Sequence, residues 1–159
     1  MKRLNEPSLG YWCALVGQQY FAGMRRLLAD LDMDRWYFAL VQIAEAGEPI
    51  TQQQLANRLH LDKATMVRAI DHLSGLGYVR REVCPEDRRK HHLVLLPKAA
   101  PVIRSIRAAY AQLNDVAMDG LGAAARTTAI EQLRHMLGQL DRANKAHAPE
   151  PAKRTTRTK

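Results

Sequence analysis

The 159-residue sequence is short of cysteine, of acidic residues and of long apolar runs, and each shortage excludes something. Two cysteines, Cys13 and Cys84, cannot build a disulfide framework, so a reduced, cytoplasmic setting is expected. The longest apolar stretches, near residues 12–16 and 93–96, fall far short of the roughly 20 residues that a membrane-spanning helix needs. Lys2 and Arg3 ahead of an apolar segment mimic a secretory leader, but Asn5, Glu6 and Pro7 interrupt it, and helical spacing continues through Leu27 and Leu31. The sequence also lacks a phosphate-binding glycine loop, a nucleophile elbow and an HExxH pair, which leaves enzymatic catalysis unsupported and calls for no cofactor. His91 and His92 are adjacent on a predicted strand and point to opposite faces. His60, His72, His135 and His147 have no ligand spacing with a cysteine, so no metal site is expected. Against 16 acidic residues stand 24 Lys and Arg, a formal charge of +8, which favours a polyanionic partner, with nucleic acid ahead of an anionic membrane.

Helical periodicity dominates what is present. Leu9, Trp12, Cys13, Val16, Tyr20, Gly23, Leu27 and Leu31 recur at steps of three and four, one apolar stripe that includes Cys13 on its buried side. Asp34 is positioned to cap a second helix carrying Tyr37, Leu40, Val41 and Ala44, which Gly47 and Pro49 end. Thr51 and Gln54 form a capping box for a short third helix. After a tight turn at His60 and Leu61, Asp62 caps a fourth helix that buries Val67, Ile70 and Leu73 and stops at Gly77. Residues 78–83 and 91–96 read as strands joined by a charged, protruding hairpin loop. Two further helices follow, over residues 98–119 with Val102, Ile103, Ile106, Tyr110 and Leu113, and over 123–145 with Ile130, Leu133, Leu137 and Leu140. Beyond residue 145 a run of Pro, Lys, Arg and Thr cannot build a core and reads as a disordered basic tail over 146–159.

Two short capped helices followed by a hairpin with a basic tip describe a winged helix-turn-helix, mainly α with a small β-hairpin wing. In this reading the fourth helix enters the major groove of double-stranded DNA. Lys63, Thr65, Met66, Arg68 and Ala69 face outward near its start, with Asp71 and His72 further along. Arg68 has the reach for a guanine edge, Thr65 bonds a base or phosphate, and Met66 or Ala64 meets a thymine methyl. Amides at Thr51 face a phosphate. At the hairpin tip, Asp87, Arg88, Arg89 and Lys90 combine three cations with one anion, and a narrow minor groove accepts such an arginine for its potential alone.

Residues 50–96 resemble the MarR family of winged-helix transcription regulators, and within it the SlyA-like branch. Gln54-Leu-Ala56, Thr65-Met-Val-Arg-Ala-Ile-Asp-His-Leu73, Gly77-Tyr-Val-Arg-Arg81 and Cys84-Pro-Glu-Asp-Arg-Arg89 carry the likeness. The resemblance implies Arg89 as the minor-groove arginine with Asp87 in support. After the wing the family's usual Leu-Thr-x-x-Gly is Leu96-Pro-Lys-Ala-Ala100 here, with Pro97 where a capping Thr is common, and proline is acceptable in a first helical turn.

The apolar stripes of the terminal helices exceed what one 50-residue lobe can cover, so residues 8–31 and 98–145 are expected to form a homodimerisation region flanking a DNA-binding region over 34–97. The family resemblance implies the same dimer and a pseudo-palindromic operator. It further implies a repressor released by a small aromatic acid or phenol bound between the two regions, for which Tyr11, Trp12, Arg35, Trp36 and Tyr37 are the candidate residues. Three other readings remain open: a peroxide-sensing regulator acting through Cys13, a non-specific architectural DNA-binding protein, and a protein-binding adaptor. Against the first, a cysteine on a buried stripe has blunted reactivity, and Asp34 stands where organic-hydroperoxide regulators carry a tyrosine.

Overall fold

A computed structural model describes residues 8–31, 33, 35–84, 87–88 and 90–147. Over these the order is α1 (Leu9–Leu27), α2 (Tyr37–Ala44), β1 (Ile50–Thr51), α3 (Gln52–Arg58), α4 (Lys63–Gly75), β2 (Val79–Val83), β3 (His91–Leu95), α5 (Ala99–Ala117) and α6 (Ala123–Ala146). The chain divides after Ala117 into two compact units.

In the first unit, local chemistry sets most boundaries. The Ser8 hydroxyl accepts from the amide of Tyr11 and opens α1. The expected box at α3 is formed on both sides: Thr51 Oγ1 accepts from the Gln54 amide at 3.3 Å, and Gln54 Oε1 accepts from the Thr51 amide at 2.8 Å. Gly77 ends the α4 segment at φ 76°, a left-handed conformation that costs glycine little. At α2 the expectation fails. The helix begins at Tyr37, Trp36 occupies the cap position without a side-chain hydrogen bond, and Asp34 lies outside the described residues.

The sheet has three strands in the order β1-β3-β2, all antiparallel, where the sequence suggested two. Two residues make the extra strand, as Ile50 pairs with Leu93 and Thr51 with His92. The start of α3 is thereby stitched to the hairpin. The core of this unit gathers Met24 of α1, Tyr37 and Leu40 of α2, Leu55 of α3, Met66, Ile70 and Leu73 of α4, Val79 of β2 and Ile106 of α5, all essentially free of solvent. An aromatic cluster lies beside it. The Tyr37 and Phe38 rings are 4.5 Å apart, Phe21 meets Phe38 edge-on at 5.6 Å, and Tyr110 completes the group. Burial, reinforced by Tyr37 nearby, pushes the Tyr110 phenol well above its ordinary range.

The amino-terminal half of α1 does not share this core. Leu9, Tyr11, Trp12, Leu15 and Val16 are exposed, and Cys13 is exposed with them, contrary to its expected place on a buried stripe. The buried face of α1 comes later, at Gly23 and Met24. In the second unit, Gly120 turns the chain at φ 78° and α6 follows with no buried residue. Its stripe of Ile130, Leu133, Leu137 and Leu140 is open to solvent.

Candidate nucleic-acid interface

The first turn of α4, the start of α3 and the hairpin enclose a cleft of about 540 Å³ lined by Thr51, Gln52, Gln53, Lys63, Arg81 and Lys90 among others. Asp62 caps α4. Its Oδ1 accepts from the Thr65 amide at 2.9 Å and its Oδ2 from the Thr65 hydroxyl at 2.6 Å. These bonds, the hydroxyl's first, hold the Asp62 carboxyl below the usual carboxylate range. Lys63 and Arg68 are exposed on the helix, and Arg68 Nη2 donates to Thr65 Oγ1 at 3.0 Å. His72 is half-buried in the last turn.

Met66 departs from the sequence reading. It is fully buried in the core, as is Ala69, so neither faces a base edge. The inward stripe of α4 runs through Met66, Ala69, Ile70 and Leu73, with Val67 only half-buried. Thr65 is also more constrained than expected, since its one hydroxyl proton is committed to Asp62.

In the hairpin, the Cys84 amide donates to the Lys90 carbonyl and the Lys90 amide to the Asp87 carbonyl, both at 2.9 Å, which closes the loop at its base. Lys90 Nζ lies 3.5 Å from Asp87, and Arg88 is exposed. Arg89, the expected minor-groove arginine, lies outside the described residues. Arg81, which sequence reasoning quoted only within a motif, ties this site together. Its Nη2 reaches Asp71 on α4 at 2.7 Å, and its Nε and Nη2 share Gln52 Oε1 on α3 at 3.2 and 3.1 Å. Three elements meet on one guanidinium. Only the tertiary fold brings Gln52, Asp71 and Arg81 together, so no local spacing announces them.

The candidate effector residues part company. Arg35 and Trp36 line a cavity of about 280 Å³ with Phe21, Phe38, Leu61 and Thr65. Tyr37 belongs to the core instead. Trp12 lines a separate groove of about 390 Å³ between α1 and α5 with Leu15, Val16, Tyr20 and Val116, and Tyr11 is exposed beside it. Among the described residues no group of three or more His, Cys, Asp or Glu could hold a metal ion, and no helix is long and apolar enough to cross a membrane.

A MarR family model matches residues 31–90, which hold α2, the helix-turn-helix and most of the hairpin. The chain is similar to the transcriptional regulator PA3341, at 27% identity and a TM-score of 0.74 over 85% of this chain and 99% of that one. It is also similar to the transcriptional regulator SlyA, at 19% identity and 0.81 over 89% and 100%. A third likeness is to BpsR of Bordetella bronchiseptica, whose DNA binding is regulated by 6-hydroxynicotinic acid, at 19% identity and 0.72 over 86% and 96%. The arrangement of α3, α4 and the hairpin is that of a winged helix-turn-helix, and over residues 31–90 it matches the MarR family of transcriptional regulators.

Proposed function

We propose that the protein is a homodimeric, sequence-specific DNA-binding repressor that a small aromatic acid or phenol releases from its operator. The observation that carries the DNA-binding reading is a set of exposed cations on α4 and the hairpin: Lys63, Arg81 and Lys90 line one cleft, and Arg68 and Arg88 are exposed on the same two elements. In this reading α4 meets base edges through Arg68 and phosphates through Lys63 and the Thr51 end of α3. His72 stands at the margin, and the hairpin with Asp87 and Arg89 enters the minor groove. The exposed apolar residues of α1 and of α6 support a second copy of the chain as their cover, which would pair two reading helices with a pseudo-palindromic site.

The cavity beside Arg35 supports the effector class. At about 280 Å³ it has the size for a single ring, its walls include Phe21, Trp36 and Phe38, and Arg35 is a carboxylate partner. Release requires the ligand to favour an arrangement of the reading helices that does not fit DNA, since tight binding alone shifts nothing. Exposed Cys13 favours peroxide sensing as the competing reading of the switch.

The test is selection of duplex sites from a random pool, then competition of the best site against a scrambled duplex at fixed salt. A preference of about 1,000-fold or more, lost on adding salicylate or 6-hydroxynicotinate but insensitive to Cys13→Ser, is expected. Equal affinity for both duplexes would establish an architectural binder. Release by peroxide that Cys13→Ser abolishes would replace the ligand with a thiol switch.

A further inference from the structure

The start of α4 holds a directed chain of hydrogen bonds. The Asp62 carboxylate accepts the Thr65 hydroxyl proton at 2.6 Å, which leaves the oxygen's lone pairs as the only thing Thr65 Oγ1 can offer outward. Arg68 Nη2 donates to that oxygen at 3.0 Å. A hydroxyl polarised by a carboxylate is a better acceptor for a cation, so each bond strengthens the next. Asp62 is ionised at neutral pH as any ordinary carboxylate is, and the same bonds favour that form further. Arg68 itself is exposed, and this contact uses one of its five N–H donors, with the others left to make a two-pronged contact elsewhere.

From this geometry we infer that Thr65 is a positioning residue for Arg68, and through it a determinant of base preference, rather than a base contact in its own right. An unrestrained arginine on an open helix face loses rotamer freedom when it docks on a base edge, and a partner already in place lowers that loss. Asp62 anchors the hydroxyl, the hydroxyl steers the guanidinium, and the planar fork meets the groove already aimed. The inference rests on the reading of Arg68 as a base contact.

The test compares the full-length protein with Thr65→Val, Thr65→Ser, Asp62→Asn and Arg68→Ala on the selected duplex and on its single base-pair variants. Thr65→Val keeps the backbone amide that Asp62 caps and removes only the hydroxyl. It should lower discrimination about 3- to 10-fold at the base pairs where Arg68→Ala lowers it, with an unchanged salt slope. Thr65→Ser should retain discrimination to within about twofold, and Asp62→Asn, which still caps the helix, should fall between the two. In the Arg68→Ala background Thr65→Val should have no further effect on base preference. A loss spread equally over every base pair, or one that persists in that background, would show that the Thr65 hydroxyl only braces the Asp62 cap. Arg68→Ala without any change in base preference would remove the base-contact reading itself, and this inference with it.

Discussion

Met66 is a residue on which the sequence and the structure make opposite claims, and its truncation separates them. As a groove contact, Met66→Ala would leave the fold intact and weaken binding at one thymine. As a core residue with 0% exposure, it loses Cγ, Sδ and Cε from a packed interior. The lost transfer free energy is about 2 kcal/mol. A residual cavity on the order of 60 Å³ adds about 1.5 kcal/mol. Together these give about 3–4 kcal/mol, and a chain of this size would melt on the order of 10 °C lower. Met66→Leu, which keeps the volume, should cost under about 1.5 kcal/mol. Urea and thermal unfolding of both variants measure the stability term. Binding to the selected duplex and its single base-pair variants, at a temperature where each protein is folded, measures the recognition term. Met66→Ala is expected to weaken every duplex alike through a loosened α4. An unaltered melting temperature with preference lost at a single base pair would refute the core assignment.

Arg81→Ala removes the guanidinium shared by Gln52 and Asp71. Partly exposed ion pairs contribute little, so unfolding free energy should change by less than about 1 kcal/mol, while amide exchange in β2 and β3 quickens; unchanged exchange would deny the tie. At Gly23 a methyl group would stand 2.7 Å from Leu113 Cδ2 and 3.1 Å from Cδ1. Those atoms are the terminal methyls of half-buried Leu113, which can turn aside, so the helix-propensity gain of about 1 kcal/mol should roughly offset the repacking, and a loss above about 2 kcal/mol for Gly23→Ala would show that Leu113 is fixed. Because the folded state lowers the Asp62 pKa, its cap contributes above the ordinary carboxylate range near about 4 and is lost as pH falls through the folded value. The melting-temperature gap between wild type and Asp62→Ala should therefore narrow in acid, and a constant gap would exclude the linkage.

Features that depend on a few neighbouring residues were legible. The Thr51–Gln54 box, the Asp62 cap and the left-handed Gly77 each follow from side-chain chemistry within one turn of chain, and each is present. The hairpin strands differ from their expected spans by a residue at one end. What escaped depends on distant partners or on ambiguous residue types. Strand β1 is two residues long and exists only because Leu93 and His92 arrive opposite Ile50 and Thr51. On α4, Ile70 and Leu73 are buried as expected, but Met66 and Ala69 complete the inward stripe where Val67, only half-buried, was expected. Along α1 the apolar period was correctly seen at Leu9, Trp12 and Val16. An apolar period, however, does not say whether the same chain covers the face, and this chain leaves these residues exposed.

The order β1-β3-β2 leaves β2 as the long open margin of the sheet. Unpaired backbone amides and carbonyls on such a margin are an invitation to any extended segment of another molecule. Charges answer it here: Arg80 pairs with Glu82 on one side of the strand, and Arg81 is engaged on the other. The opposite margin is only two residues long, too brief to template anything. At high concentration the hairpins of separate molecules can lie flank to flank without fusing into fibrous stacks, so the arginine that ties this element to α3 and α4 also helps keep it from adhering to its own kind.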